Sequence, residues 1–179
     1  MKIKNTDFKS KAFPLLCDII ASDNLMVVSG AGVSTGIKQR GTGKFLPNWP
    51  TLIERLHLEF KSALSKNENR EITEILLEKE IPSKTLIEIA ARLRKINPKV
   101  FDDKLRKQVT PEKNMFSETH EVICDLYPRG ILTFNYDDCH ENAMKDCGIT
   151  IDSLLPSDDE EFVKLLKSGI KSQFLLKAH

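Results

Sequence analysis

Three short apolar runs constrain the fold of this chain more than any other feature of its sequence. They are residues 25–28 (LMVV), 130–134 (GILTF) and 174–177 (FLLK). A glycine-bearing loop follows the first run, and the turn Asn135-Tyr136-Asp137 follows the second. A short apolar run between turn signals is typical of a strand buried on both faces of a parallel sheet. The sequence therefore predicts an α/β fold with a parallel sheet.

Helical periodicity fills most of the chain between these runs. Apolar residues repeat at helical spacing in residues 13–20, 52–64, 86–96 and 100–109. Ser117 can cap a further helix, and residues 137–147 and 157–167 predict two more. We therefore expect an incomplete doubly wound, Rossmann-like sheet, with a helical insertion at about residues 51–128 after the first glycine loop.

Composition excludes several classes of protein. The chain has 179 residues, 40% of them hydrophobic, and a formal net charge of +1. No stretch approaches the roughly 18 apolar residues of a membrane helix, and the N-terminus lacks the apolar core of a signal peptide. The near-neutral charge does not indicate nucleic-acid binding. The four cysteines form no CxxC pair, so we expect a reduced, cytoplasmic protein without a metal site.

The glycine loop after the first run is the first candidate site. Glycine lets backbone amides approach a pyrophosphate closely, and Gly30-x-Gly32 has the position of such a loop. The third glycine of a GxGxxG motif would fall at position 35, which is threonine. Taken alone, the pattern leaves open a tight turn that binds no ligand.

Two motifs together resemble the sirtuin superfamily. Residues 28–34 (VSGAGVS) resemble its GAGxS loop, and residues 132–137 (LTFNYD) resemble its TxNxD motif, about a hundred residues later. Residues 175–179 (LLKAH) are similar to the segment with the family's catalytic histidine. The tyrosine in TFNYD and residues 46–49 (LPNW) are most similar to the bacterial sirtuin-like NADase branch associated with phage defence.

The resemblance implies a role for individual residues. The candidate phosphate-binding residues are Gly30, Ala31, Gly32 and Ser34, and Thr133 and Asp137 would line the nicotinamide side of the same pocket. Asn135 would orient the ribose or the attacking water. His179 would be the general base, since an imidazole accepts a proton near neutral pH.

The function that the resemblance implies is hydrolysis of the nicotinamide–ribose bond of NAD, which is then substrate and not a retained cofactor. The family branch further implies an effector domain of an antiviral defence protein, acting as a homo-oligomer or with a partner defence subunit. Two alternatives stay open: an NAD-dependent protein deacylase, and a non-catalytic domain that binds NAD or ADP-ribose or mediates assembly.

The remaining features predict structural roles or limits. His57, His120 and His140 show no partner spacing, so we interpret them as surface or helix residues. Residues 152–161 have the composition of a solvated, acidic helix start. Residues 92–107 have that of a solvated basic helix face, with a docking face for nucleic acid or an acidic partner as the alternative. The later strands of a sirtuin-like sheet are not in the sequence. We therefore expect residues 1–179 to be the N-terminal part of the NAD-binding domain, and the activity of this segment by itself is left open.

Overall fold

The computed structural model of the chain describes residues 13–154, 160, 163 and 173–178. The described strands are β1 (Met26–Ser29), β2 (Gly130–Thr133), β3 (Ile151–Leu154) and β4 (Gln173–Lys177). The described helices are α1 (Phe13–Ala21), α2 (Trp49–Phe60), α3 (Lys66–Leu76), α4 (Ser83–Ile96), α5 (Pro98–Val109), α6 (Glu118–Asp125) and α7 (Cys139–Asp146). The predicted mixed α/β class is confirmed.

The chain divides into two compact units. The sheet unit consists of the described parts of Met1–Val33, Phe116–Asn135 and Cys139–His179. The helical unit consists of Ser34–Met115 and Tyr136–Asp138, and holds the helices α2 to α5.

The sheet is parallel throughout, with the strand order β1-β2-β4-β3. Val27 lies opposite Ile131, which lies opposite Leu175, so one apolar row crosses three strands. The buried members of this row pack with Ile123 from α6 and Met144 from α7. One face of the sheet therefore carries the core of the sheet unit.

The prediction that residues 25–28 are buried on both faces is wrong. Met26 is 48% exposed and Val28 is 66% exposed, whereas Ser29 is buried. Because side chains alternate along a strand, Met26 and Val28 share one face of β1, and this face is exposed while Val27 on the other face packs against the core.

The strand β3 was not predicted. Asp152, expected at a solvated helix start, lies in β3 opposite Phe174 of β4. β3 forms by pairing with β4, some twenty residues further along the chain, and local periodicity does not reveal such a pairing.

Glu160 and Val163 are helical, and the rest of the helix expected at residues 157–167 lies outside the described residues.

The helical unit has its own apolar core. Its fully buried side chains include Ile53, Leu56 and Leu93 from the predicted stripes and Ile72 from α3, which lies outside those stripes. Local polar groups define where the helices begin. The Asn48 side chain accepts the Thr51 N–H at the start of α2, and Ser65 forms a capping box with Glu68 at the start of α3.

The basic segment at residues 92–107 is paired with acidic side chains. Arg92 lies 2.9 Å from Glu71, Arg94 lies 3.2 Å from Asp102, and Lys104 lies 2.6 Å from Glu59. The hydrogen bond from Arg92 lowers the pKa of Glu71. These pairs neutralise part of the basic segment.

Within the described part of the chain, no helix combines the length and the apolarity needed to cross a membrane.

Candidate functional site

Two of the predicted motifs meet at the carboxyl edge of the sheet. Because β1 and β2 are parallel neighbours, the glycine loop and Asn135 leave the sheet side by side. The Phe134 N–H donates to the Ser29 carbonyl at 3.1 Å, which extends the pairing beyond the strand ends. In open α/β sheets, ligands bind in the crevice outside the carboxyl ends of the strands.

The third predicted motif begins at the same edge. β4 pairs with β2, and the Ala178 N–H donates to the Thr133 carbonyl at 2.9 Å. His179, the predicted general base, follows directly in the sequence but lies outside the described residues.

The glycine loop forms a short 3₁₀ turn at Ala31–Ser34, where the Val33 N–H donates to the Gly30 carbonyl at 3.1 Å. A Cβ added to Gly30 or Gly32 would meet no atom of the described residues within 4 Å, as is also true of Gly36, Gly41, Gly43 and Gly148. Neither glycine has a positive φ, in contrast to Gly36, Gly41, Gly43 and Gly148. A positive φ or a crowded Cβ position would each require glycine, and neither applies to Gly30 or Gly32. The space over them is open to a molecule from outside.

Thr133 and Asn135 form one hydrogen-bonded turn. The backbone N–H of Asn135 donates to Thr133 Oγ1 at 3.1 Å, and both side chains are buried. Phe134 between them is exposed. Thr133 thereby orients the backbone that carries the candidate catalytic amide.

The other candidate residues belong to the helical unit. Ser34 ends the 3₁₀ turn and is buried, and Asp137 is buried shortly before α7. Tyr136 packs against the helical core, and burial raises the pKa of its phenol. Trp49 packs against the same core. Within the LPNW segment, Asn48 therefore caps α2 and Trp49 contributes to the apolar core of the helical unit.

A buried polar row crosses the sheet at its carboxyl edge. Ser29 lies opposite Thr133, and Thr133 lies opposite Lys177. Each is less than a tenth exposed. The first turn of α7 supplies partners for two of them. Ser29 Oγ lies 2.8 Å from His140 Nε2, and Lys177 Nζ lies 2.6 Å from Glu141 Oε1.

Sequence reasoning missed two of the histidines at this site. His120 and His140 lie in helices, as expected, but they are 0% and 2% exposed, so the surface interpretation is wrong. The same holds for His57, which is buried against Asn69. For His120 a signal existed, since Ser117 and His120 have the spacing of a capping box. For His140 there was none, because Ser29 lies 111 residues away.

Cys124 is a structural thiol. It is buried, and its Sγ lies 3.6 Å from Met144 Sδ. Burial, followed by a hydrogen bond with Cys147, raises the pKa of Cys124 to about 12. The thiol is therefore protonated at neutral pH and unsuited to act as a nucleophile.

A comparison with protein-family models and with curated proteins found no match to this chain.

The ion pair between Glu141 and Lys177 is testable by a double-mutant cycle with Glu141→Gln and Lys177→Met. We expect a coupling energy of about 1–3 kcal/mol in urea unfolding, because the two side chains are only 26% and 9% exposed. The exposed pair Arg70–Glu74 is the control, with an expected coupling below about 0.5 kcal/mol. Equal coupling in both pairs would show that burial adds nothing to the Glu141–Lys177 interaction.

Proposed function

We propose that this chain carries the catalytic site of an NAD glycohydrolase on a Rossmann-like sheet, which cleaves the nicotinamide–ribose bond of NAD. The observation that carries the proposal is the position of Gly30 and Gly32 at the carboxyl edge, where the glycine loop leaves the sheet beside the segment with the buried Asn135. The two glycines are explained if a phosphate group approaches the backbone more closely than a Cβ would allow.

The chemistry of the candidate residues fits this reaction. In hydrolysis the bond between the ribose carbon and the nicotinamide nitrogen breaks, and a water oxygen bonds to that carbon. The water loses a proton, for which the proposal assigns the imidazole of His179 as acceptor. The Asn135 amide is neutral, so its role is to orient the ribose or the water. Thr133 holds Asn135 in place through the 3.1 Å hydrogen bond.

The proposal includes the biological setting that the sirtuin-like resemblance implies. In that setting the chain is part of an effector that depletes NAD in antiviral defence.

Gly32→Ala tests the assignment of the phosphate loop. We expect the Tm to change little, because the added methyl group has no atom of the described chain within 4 Å. We expect the Kd for NAD to rise about tenfold or more, because the methyl group occupies the space assigned to the phosphate. Calorimetric titration with NAD measures the Kd, and a thermal melt measures the Tm.

The matched control is Gly148→Ala. Gly148 follows α7 with φ +70°, so alanine there is strained and lowers the Tm. The Kd for NAD is expected to stay unchanged in this variant. Unchanged NAD binding by Gly32→Ala would refute the phosphate-loop assignment.

Asn135→Ala tests the catalytic assignment. We expect nicotinamide release from NAD to fall at least about a hundredfold, since the orienting amide is lost. Chromatographic quantification of nicotinamide and ADP-ribose gives the rate. The control is Asn97→Ala, which removes the exposed cap of α5 and costs about 1 kcal/mol of stability without changing the rate. Undiminished turnover in Asn135→Ala would exclude this residue from the catalytic site.

A further inference from the structure

Two hydrogen-bonded contacts, one buried and one partly buried, hold both ends of the glycine loop. Before the loop, Ser29 Oγ lies 2.8 Å from His140 Nε2. Within the loop, the Val33 carbonyl accepts a hydrogen bond of 2.6 Å from Ser117 Oγ. The first contact comes from α7 and the second from the residue that precedes α6, so two different helices hold the loop.

Two imidazole rings connect these contacts. His120 Nδ1 accepts the backbone N–H of Ser117 at 3.2 Å and lies 2.7 Å from Ser117 Oγ. The rings of His120 and His140 pack edge to face, with their centroids 4.7 Å apart. The contacts thus run without interruption from Ser29 through His140, His120 and Ser117 to Val33. We name these five residues the loop anchor.

The loop anchor costs more to bury than an apolar core of the same size. Imidazole and hydroxyl groups lose hydration on burial, and the loss is recovered only where each group finds a hydrogen-bond partner. Packing alone would be satisfied by leucine or methionine at positions 120 and 140. Instead, His140 contacts Ser29, which precedes the glycine loop, and His120 contacts Ser117, which hydrogen-bonds to Val33 within the loop.

We propose that His140 and His120 are positioning residues for the phosphate groups of NAD. They hold the glycine loop in its 3₁₀ turn before the substrate arrives. This inference rests on the proposed function. A loop containing two glycines has high conformational entropy when free, and ordering it during binding reduces affinity. Loss of the anchor should therefore raise the KM for NAD. It should leave kcat nearly unchanged, because the Asn135 N–H is held by Thr133 Oγ1, and Thr133 is not one of the anchor residues.

Ser29→Ala and His140→Leu each remove the contact between Ser29 and His140, and Ser117→Ala removes the hydrogen bond to Val33. For each variant we expect a KM for NAD about tenfold higher, with kcat within about twofold of the wild-type value. In the absence of NAD, amide hydrogen exchange of residues 30–34 should be about tenfold faster, because the turn opens more often. Combining Ser29→Ala with His140→Leu should raise the KM no further than either change alone, since both remove the same contact.

Two control variants match these changes in chemistry but lie in the helical unit. His57→Leu removes a buried histidine bonded to Asn69, and Ser65→Ala removes the serine that caps α3. Both should lower stability without changing the KM for NAD or the exchange of residues 30–34. His140→Gln offers a rescue, because its amide can hydrogen-bond to Ser29. Its KM should lie within about threefold of the wild-type value.

The outcomes separate this inference from the proposed function. A wild-type chain that neither binds nor cleaves NAD would refute the proposed function and, with it, the role of the anchor in NAD binding. A wild-type chain that cleaves NAD, with anchor variants of unchanged KM and unchanged loop exchange, would refute only the anchor. If His140→Leu does not fold, Ser29→Ala tests the same contact, because it removes only the hydroxyl group of Ser29.

Discussion

The site depends on the buried polar row formed by Ser29, Thr133 and Lys177. These three residues end the apolar surface of the sheet at its carboxyl edge, and each immediately precedes or begins a segment with predicted function. Buried polar groups need partners. The start of α7 therefore has to supply His140 and Glu141 at this edge, whereas Met144 further along the same helix packs against the apolar core. The start of α7 is therefore polar where it lies beside the polar row, and the rest of the helix is apolar where it packs on the core.

This arrangement links stability to the proposed chemistry. The residues that hold the strand ends are also those next to the glycine loop, Asn135 and Ala178. Polar groups at these positions lower the stability of the fold, and in return they order three neighbouring segments. Preorganised backbone is what a phosphate site and an orienting amide both require.

The parts of the fold that follow from local patterns were predictable from the sequence. The apolar runs predicted β2 and β4, helical spacing predicted the stripes that include Leu56 and Leu93, and Ser117 predicted the start of α6. The meeting of the glycine loop with Asn135 was predictable because parallel strands end at one edge. What could not be predicted depends on distant partners. The strand β3 pairs with β4, His140 contacts Ser29 across 111 residues, and the exposure of Val28 depends on which face of β1 the rest of the fold covers.

We propose that the segments at the carboxyl edge form one NAD site. An NMR titration of the ¹⁵N-labelled chain with NAD tests it most directly, because backbone amide shifts report on each segment separately and detect weak binding. We expect shifts to concentrate at Gly30, Gly32, Asn135 and Ala178 and to saturate together, with little change in α3, whose Ser65 cap is in the helical unit. Absence of shifts at these four residues at millimolar NAD, or shifts spread evenly over the chain, would contradict the account.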